Sequence, residues 1–224
     1  MRGWHFAAAG PNGEPALRDG SPARAGTVEV SGPLKLCVRG LHASACVIDA
    51  LYYAPGPWLS RVELRGTVVM GDDKACATER VARGYVDVTN VLREFAVRCA
   101  VRALEREQDA GREPNTRSWA ACDLALGGFA GVVDAEMLRE AYNAAYAAVD
   151  DADGVAANAA AYTAASAAYA TANDADRDAA FAANRAACAA YAANGAAYAA
   201  EERGAQNDEL EEMLLQFFED EEAI

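Results

Sequence analysis

Between residues 135 and 207, alanine occupies 34 of 73 positions. Alanine is the strongest helix former and loses no side-chain entropy when a helix forms, so such a tract has one ordered option, the α-helix. Its larger residues recur at helical spacing: Tyr142, Tyr146 and Val149, then Tyr162 and Tyr169, then Phe181, Cys188, Tyr191 and Tyr198. The seven-residue steps draw a stripe along one face. Alanines stand where a coiled coil usually carries leucine, which lets helix axes approach closely. Breaks are predicted at Asp153-Gly154, near Asn173-Asp174 and at Gly204, with Asp174 and Asp208 as N-caps. A last amphipathic helix sets Leu210, Met213, Leu214, Phe217 and Phe218 against Glu209, Glu211, Glu212 and the acids from Glu219 to Glu222. Its apolar face has two possible uses. It can dock on its own chain, or it can bind a partner through Phe217 and Phe218 with Glu209, Glu211, Glu212, Glu219 and Asp220 as an acidic rim.

The charge is divided as sharply as the composition. Residues 1–134 carry 16 acidic and 16 basic side chains, whereas residues 135–224 carry 18 acids and four arginines, Arg139, Arg177, Arg185 and Arg203. The net charge of −14 therefore belongs to the C-terminal part. Nucleic-acid affinity comes mainly from Lys and Arg neutralising phosphates, so direct nucleic-acid binding by this part is not expected, and a basic partner surface is. The N-terminus has no apolar signal-peptide core and the chain no membrane-length apolar run. Cys37, Cys46, Cys76, Cys99, Cys122 and Cys188 include no CxxC pair and are expected as buried free thiols. The expected location is the cytoplasm.

The first part alternates strand and helix signals. Residues 4–9 read as a strand ended by the Gly10-Pro11-Asn12-Gly13 turn, residues 14–26 as a loop, and 27–30 and 34–38 as short strands. Ser44 is the predicted N-cap of a helix over 45–54 that turns Val47, Ile48 and Leu51 inward and stops at Pro55-Gly56-Pro57. Residues 58–70 alternate apolar with polar as a long strand, with a bulge at Gly66 and a turn at Gly71-Asp72-Asp73-Lys74. Further strands are predicted over 76–88, broken near Gly84, and then a helix over 90–108 capped by Thr89. On that helix Arg93, Arg98, Arg102 and Arg106 are interleaved with Glu94, Glu105 and Glu107, which reads as a salt-bridged face. A linker follows over 109–117, then a short helix capped by Ser118 and broken at Gly127-Gly128 and Gly131, and a new helix capped by Asp134. The expected class is α+β: a mixed α/β domain over 1–110, a linker with a short helix over 111–134, and an acidic helical bundle over 135–224.

No pattern specifies a reaction. The two histidines, His5 and His42, belong to no Cys/His cluster with ligand spacing, and there is no P-loop, dinucleotide fingerprint or nucleophile elbow. No metal and no cofactor are expected from the residues. The stretch 36–74, with Leu36-Cys37, Gly40-Leu41-His42-Ala43-Ser44, Tyr53-Ala54-Pro55-Gly56 and Gly71-Asp72-Asp73-Lys74, resembles an uncharacterised domain family frequent in phage and prophage genomes. The resemblance covers roughly residues 1–108 and extends loosely to the alanine-rich tail. It implies a phage association and no activity. The layout of a first strand with a histidine, Gly-Leu-His-Ala-Ser, a helix and a Val-Glu-Leu strand is also similar to ADP-ribosyltransferases. That similarity implies NAD as cofactor and His5, Ser44, Tyr52 or Tyr53, and Glu79 as site residues, although His5 lacks the family's following Gly-Thr/Ser.

The leading expectation is a phage- or prophage-encoded, non-enzymatic protein-binding protein, of the anti-CRISPR or anti-restriction kind, acting through its acidic helices. The alternatives are an ADP-ribosyltransferase-like enzyme or degenerate relative, and an oligomerisation element built on the aromatic stripe.

Overall fold

A computed structural model describes residues 1–129, 133–150, 162, 164–169 and 195–218. The chain is α+β, as expected, and divides into two compact units. One unit comprises Met1–Val88 with the residues from Glu209 onward, and the other comprises Thr89–Asp208.

The first unit is built on an antiparallel sheet. Its strands are β1 (Arg2–Ala9), β2 (Pro15–Ala16), β3 (Gly26–Glu29), β4 (Leu41–Ala43), β5 (Trp58–Met70), β6 (Ala75–Ala82) and β7 (Val86–Asp87). The order is β2-β1-β5-β6-β3, with β4 also paired to β6 and β7 to β5. The spine is the β5–β6 hairpin, closed by the Gly71 N–H donating to the Lys74 carbonyl at 2.8 Å. Its register shifts between Arg65 and Val68, where Gly66 sits at φ 68° and the Thr67 N–H donates to Thr78 Oγ1. This is the predicted bulge. Val62, Leu64, Ala75, Ala77 and Ala82 form a core cluster with Ala43.

Two local expectations fail here. Ser44 caps nothing. Its N–H and carbonyl are both bonded to Trp4 across the sheet, so it is held extended, and α1 (Val47–Tyr52) starts after Cys46 without a side-chain cap. Residues 34–38 are not a strand either. The Lys35 and Arg39 backbones bond to each other, and the tight loop between them puts Cys37 at φ 64°. Cys37 and Cys46 are exposed rather than buried, whereas Cys76, Cys99 and Cys122 are buried. Burial pushes the Cys122 thiol up to about 12. Cys188 lies outside the described residues.

The second unit holds α2 (Thr89–Asp109), α3 (Thr116–Phe129), α4 (Ala135–Asp150), a helical stretch over 164–169, and α5 (Gly195–Leu215) up to Asp208. The cap of α3 is Asn115, whose side-chain oxygen accepts from the Arg117 N–H at 3.0 Å, so Ser118 lies one turn inside. Asp134 caps α4 as predicted, accepting from the Met137 N–H at 2.9 Å. Gly127-Gly128 and Gly204 do not break α3 and α5. A helical glycine costs about 1 kcal/mol relative to alanine, which burial of neighbouring side chains outweighs. The alanines pack as foreseen: Ala121, Ala141, Ala145, Ala165 and Ala168 form a core of methyl groups. Tyr142 meets Tyr169 at 5.3 Å between ring centroids and Tyr146 meets Tyr162 at 6.3 Å. On α2 the expected same-helix pairing holds for Arg98 with Glu94, but Arg102 and Arg106 instead meet the buried Glu202 of α5, and Glu107 is buried against Arg112. The breaks predicted at Asp153-Gly154 and Asn173-Asp174, and the Phe181–Tyr191 part of the stripe, lie outside the described residues. Asp208 lies within α5 rather than at its start.

Candidate functional site

The C-terminal residues of the first unit offer one candidate surface. Leu210 and Leu214 are buried one turn apart on α5, and Phe218, in the turn that follows it, is buried too. Phe218 stands edge-on to Trp4, 5.4 Å between centroids. The Arg61 guanidinium lies 3.9 Å over the same indole and reaches Glu211 at 3.6 Å. Phe218 is thus docked on the first strand, and Leu210 and Leu214 are buried. Of the residues read as partner-binding, Phe218 is engaged internally, Glu211 is half-buried beside Arg61, and Glu209 is half-buried. Glu212 and Phe217 are exposed, next to exposed Leu215 and Gln216. Glu219 and Asp220 lie outside the described residues.

A second cluster gathers basic side chains from several strands. His5 pairs in register with Ser60 on β5, and its Nδ1 lies 3.1 Å from the Tyr85 hydroxyl. Arg80 of β6 is 5% exposed, and its Nη1 donates to the His42 carbonyl at 3.1 Å. Its Nε is buried with no hydrogen-bond partner. His42 Nε2 accepts from the Cys37 N–H at 3.1 Å, which identifies that nitrogen as the unprotonated one. Burial, then the charges of Arg80, His42 and Arg18, hold His5 well below the ordinary histidine range. His42 is lowered by burial and by Lys74 and Arg80, against a backbone hydrogen bond with Gly40 that works the other way. Burial also lowers the Arg80 guanidinium and raises the Tyr85 hydroxyl. Gly40 is required by its position: its φ is 134°, and a Cβ there would come within 2.9 Å of the Cys76 Cβ.

Tyr53 closes an adjoining group. Its hydroxyl donates to Asp73 at 2.5 Å, its ring lies 3.5 Å under the Lys74 ammonium, and its carbonyl accepts from Arg18 at 2.6 Å. The hydrogen bond to Asp73, then burial, raises the Tyr53 hydroxyl. Burial works against the Lys74 charge, but hydrogen bonds with Cys37 and Tyr53 leave it raised.

The residues implied by the transferase-like layout are therefore distributed. The aromatic partner of His5 is Tyr85, whereas Tyr53 belongs to the Asp73–Lys74 group and Tyr52, stacked edge-on to Tyr53, is exposed. Ser44 is buried with its main chain tied to Trp4. Glu79 faces Arg65, 3.9 Å away. Arg80 and Tyr85 were not singled out from the sequence. One signal pointed to Arg80: adjacent charges Glu79 and Arg80 on a strand must face opposite sides, so one of them turns inward when the sheet has a buried face.

Among the described residues, no group of three or more His, Cys, Asp or Glu side chains could hold a metal, and no helix is long and apolar enough to cross a membrane. Compared with protein-family models, curated proteins and solved structures, the chain matches none.

Proposed function

We propose that this is a phage- or prophage-encoded, non-enzymatic protein that binds another protein, engaging a basic partner surface through its acidic helical part. The observation that carries this reading is the confinement of the whole net charge of −14 to residues 135–224. Burial of Leu210, Leu214 and Phe218 supports it, because Glu212, Gln216 and Phe217 are then left exposed. Basic surfaces of this kind belong to nucleic-acid-binding proteins, host defence complexes among them. Such an encounter is electrostatically steered and weakens with ionic strength. The test is affinity capture from host lysate with the whole chain, at low and high salt, beside the variant Glu209→Lys/Glu212→Lys. A specific partner held at low salt, released at high salt and lost to the variant is the expected result. Capture that is indifferent to both removes the reading.

A second reading is an ADP-ribosyltransferase-like enzyme or degenerate relative. The contact of first-strand His5 with Tyr85, beside Arg80, favours it. Millimolar NAD should then raise the unfolding midpoint by mass action, and His5→Ala should abolish the rise. An unchanged midpoint counts against it.

A further inference from the structure

We infer that the Arg80 guanidinium, flanked by His5, His42 and Tyr85, anchors a binding site for a phosphate-type oxyanion. An arginine stays charged at any physiological pH and carries five N–H donors in a planar fork. Arg80 is buried, yet its one hydrogen bond among the described residues goes to a neutral carbonyl, and its Nε has no partner. A buried charge without a counter-ion is strongly unfavourable. No carboxylate is bonded to it among the described residues.

The surroundings sharpen the anomaly. Arg18 and Lys74 add positive charge, and both histidines are held below their ordinary range first by burial and then by the cations around them. Folding gains nothing from collecting like charges; an anion placed among them reverses the sign of every one of these interactions. The donors come from different strands and directions. The guanidinium is on β6, the His5 imidazole on β1 and the Tyr85 hydroxyl just before β7, while His42 on β4 holds Arg80 through its main-chain carbonyl. A convergent set of that kind matches a tetrahedral, multiply charged oxyanion better than a planar carboxylate, and charge-assisted bonds of this type are the strong ones. His5, His42, Tyr85 and Lys74 are each partly exposed, so the cluster is open to solvent.

The site is independent of the acidic helices and requires no transfer step, although it shares His5, Tyr85 and Arg80 with the transferase reading. The test uses the whole chain in chloride buffer of fixed ionic strength, with inorganic phosphate, pyrophosphate, ADP-ribose and NAD added separately. The unfolding midpoint is followed, together with the Arg80 Nε–H resonance. Either phosphate or pyrophosphate should raise the midpoint and move that resonance. At ten times Kd the folding equilibrium constant rises about 11-fold. Arg80→Met should be at least as stable without anion and lose the response. If that variant misfolds, His5→Gln should keep the fold and respond less. A larger effect of ADP-ribose assigns the group to a nucleotide, and an equal effect of phosphate assigns it to the free ion; both support the site. Response to pyrophosphate without response to NAD keeps the site and removes the transferase reading. The proposal is overturned if no anion acts beyond matched chloride, or if Arg80→Met responds as the parent does.

Discussion

Phe218 meets Trp4 edge-on, 5.4 Å between ring centroids and 75° between planes, across more than two hundred residues of chain. The contact fastens the terminal helix to the first strand, and Arg61 completes it by lying over the indole while facing Glu211. Phe218→Ala should cost about 3 kcal/mol, in the range for removing a buried aromatic ring. Glu211→Gln should cost less than about 1 kcal/mol, because that pair is partly exposed. Urea unfolding followed by Trp fluorescence separates the two. Equal, small losses would show that the aromatic contact does not hold the helix.

The long strand over 58–70, its bulge at Gly66 and the Asp134 cap were legible because each rests on a local rule: alternation, a left-handed glycine, a capping side chain. Ser44 misled for an opposite reason. It has the chemistry of a cap, but Trp4, distant in sequence, binds both its backbone groups. The glycines within α3 and α5 misled because packing of distant segments exceeds the small local penalty. The candidate site was half legible. His5 and His42 drew notice as the chain's two histidines, but the burial of Arg80 depends on residues from several strands meeting around it.

Glu202 is fully buried and lies 3.4 Å from Arg102 Nε and 2.5 Å from Arg106 Nη2, with Gln206 donating to it at 2.8 Å. Removing one member of a buried ion pair leaves the rest uncompensated. Both arginines keep some solvent contact, so Glu202→Ala should cost about 2 kcal/mol rather than the 3–5 kcal/mol of fully buried pairs. Glu202→Gln, which keeps the shape and part of the hydrogen bonding, should lose less. A denaturant titration in which Glu202→Ala is neutral would mean the network contributes nothing net.

Gly40→Ala tests why the Gly-Leu-His-Ala-Ser run begins with glycine. The new methyl meets Cys76, and the backbone is held at φ 134°. Strain and overpacking together should cost about 3 kcal/mol. Because the Gly40 backbone also bonds His42, the change should disturb the His42 ring resonances. Unchanged stability and unchanged ring signals would show that the loop accommodates a side chain.

The two histidines make stability fall on the acid side. Both are depressed in the folded chain relative to 6.5, His5 strongly. Below that value the unfolded chain takes up protons that the folded chain refuses, so ν_U exceeds ν_N and stability declines as pH falls. The loss is absent above the unfolded value, grows as pH drops below it, and stops once pH passes the folded values. Each histidine contributes at most about 1.4 kcal/mol per pH unit. Protonating His42 also ends its acceptance of the Cys37 N–H, so the 35–39 loop should open in the same range. Urea midpoints at pH 7.5, 6.5 and 5.5 should fall for the parent chain and fall less for His5→Gln/His42→Gln. A slope shared by both chains would assign the acid sensitivity to carboxylates instead.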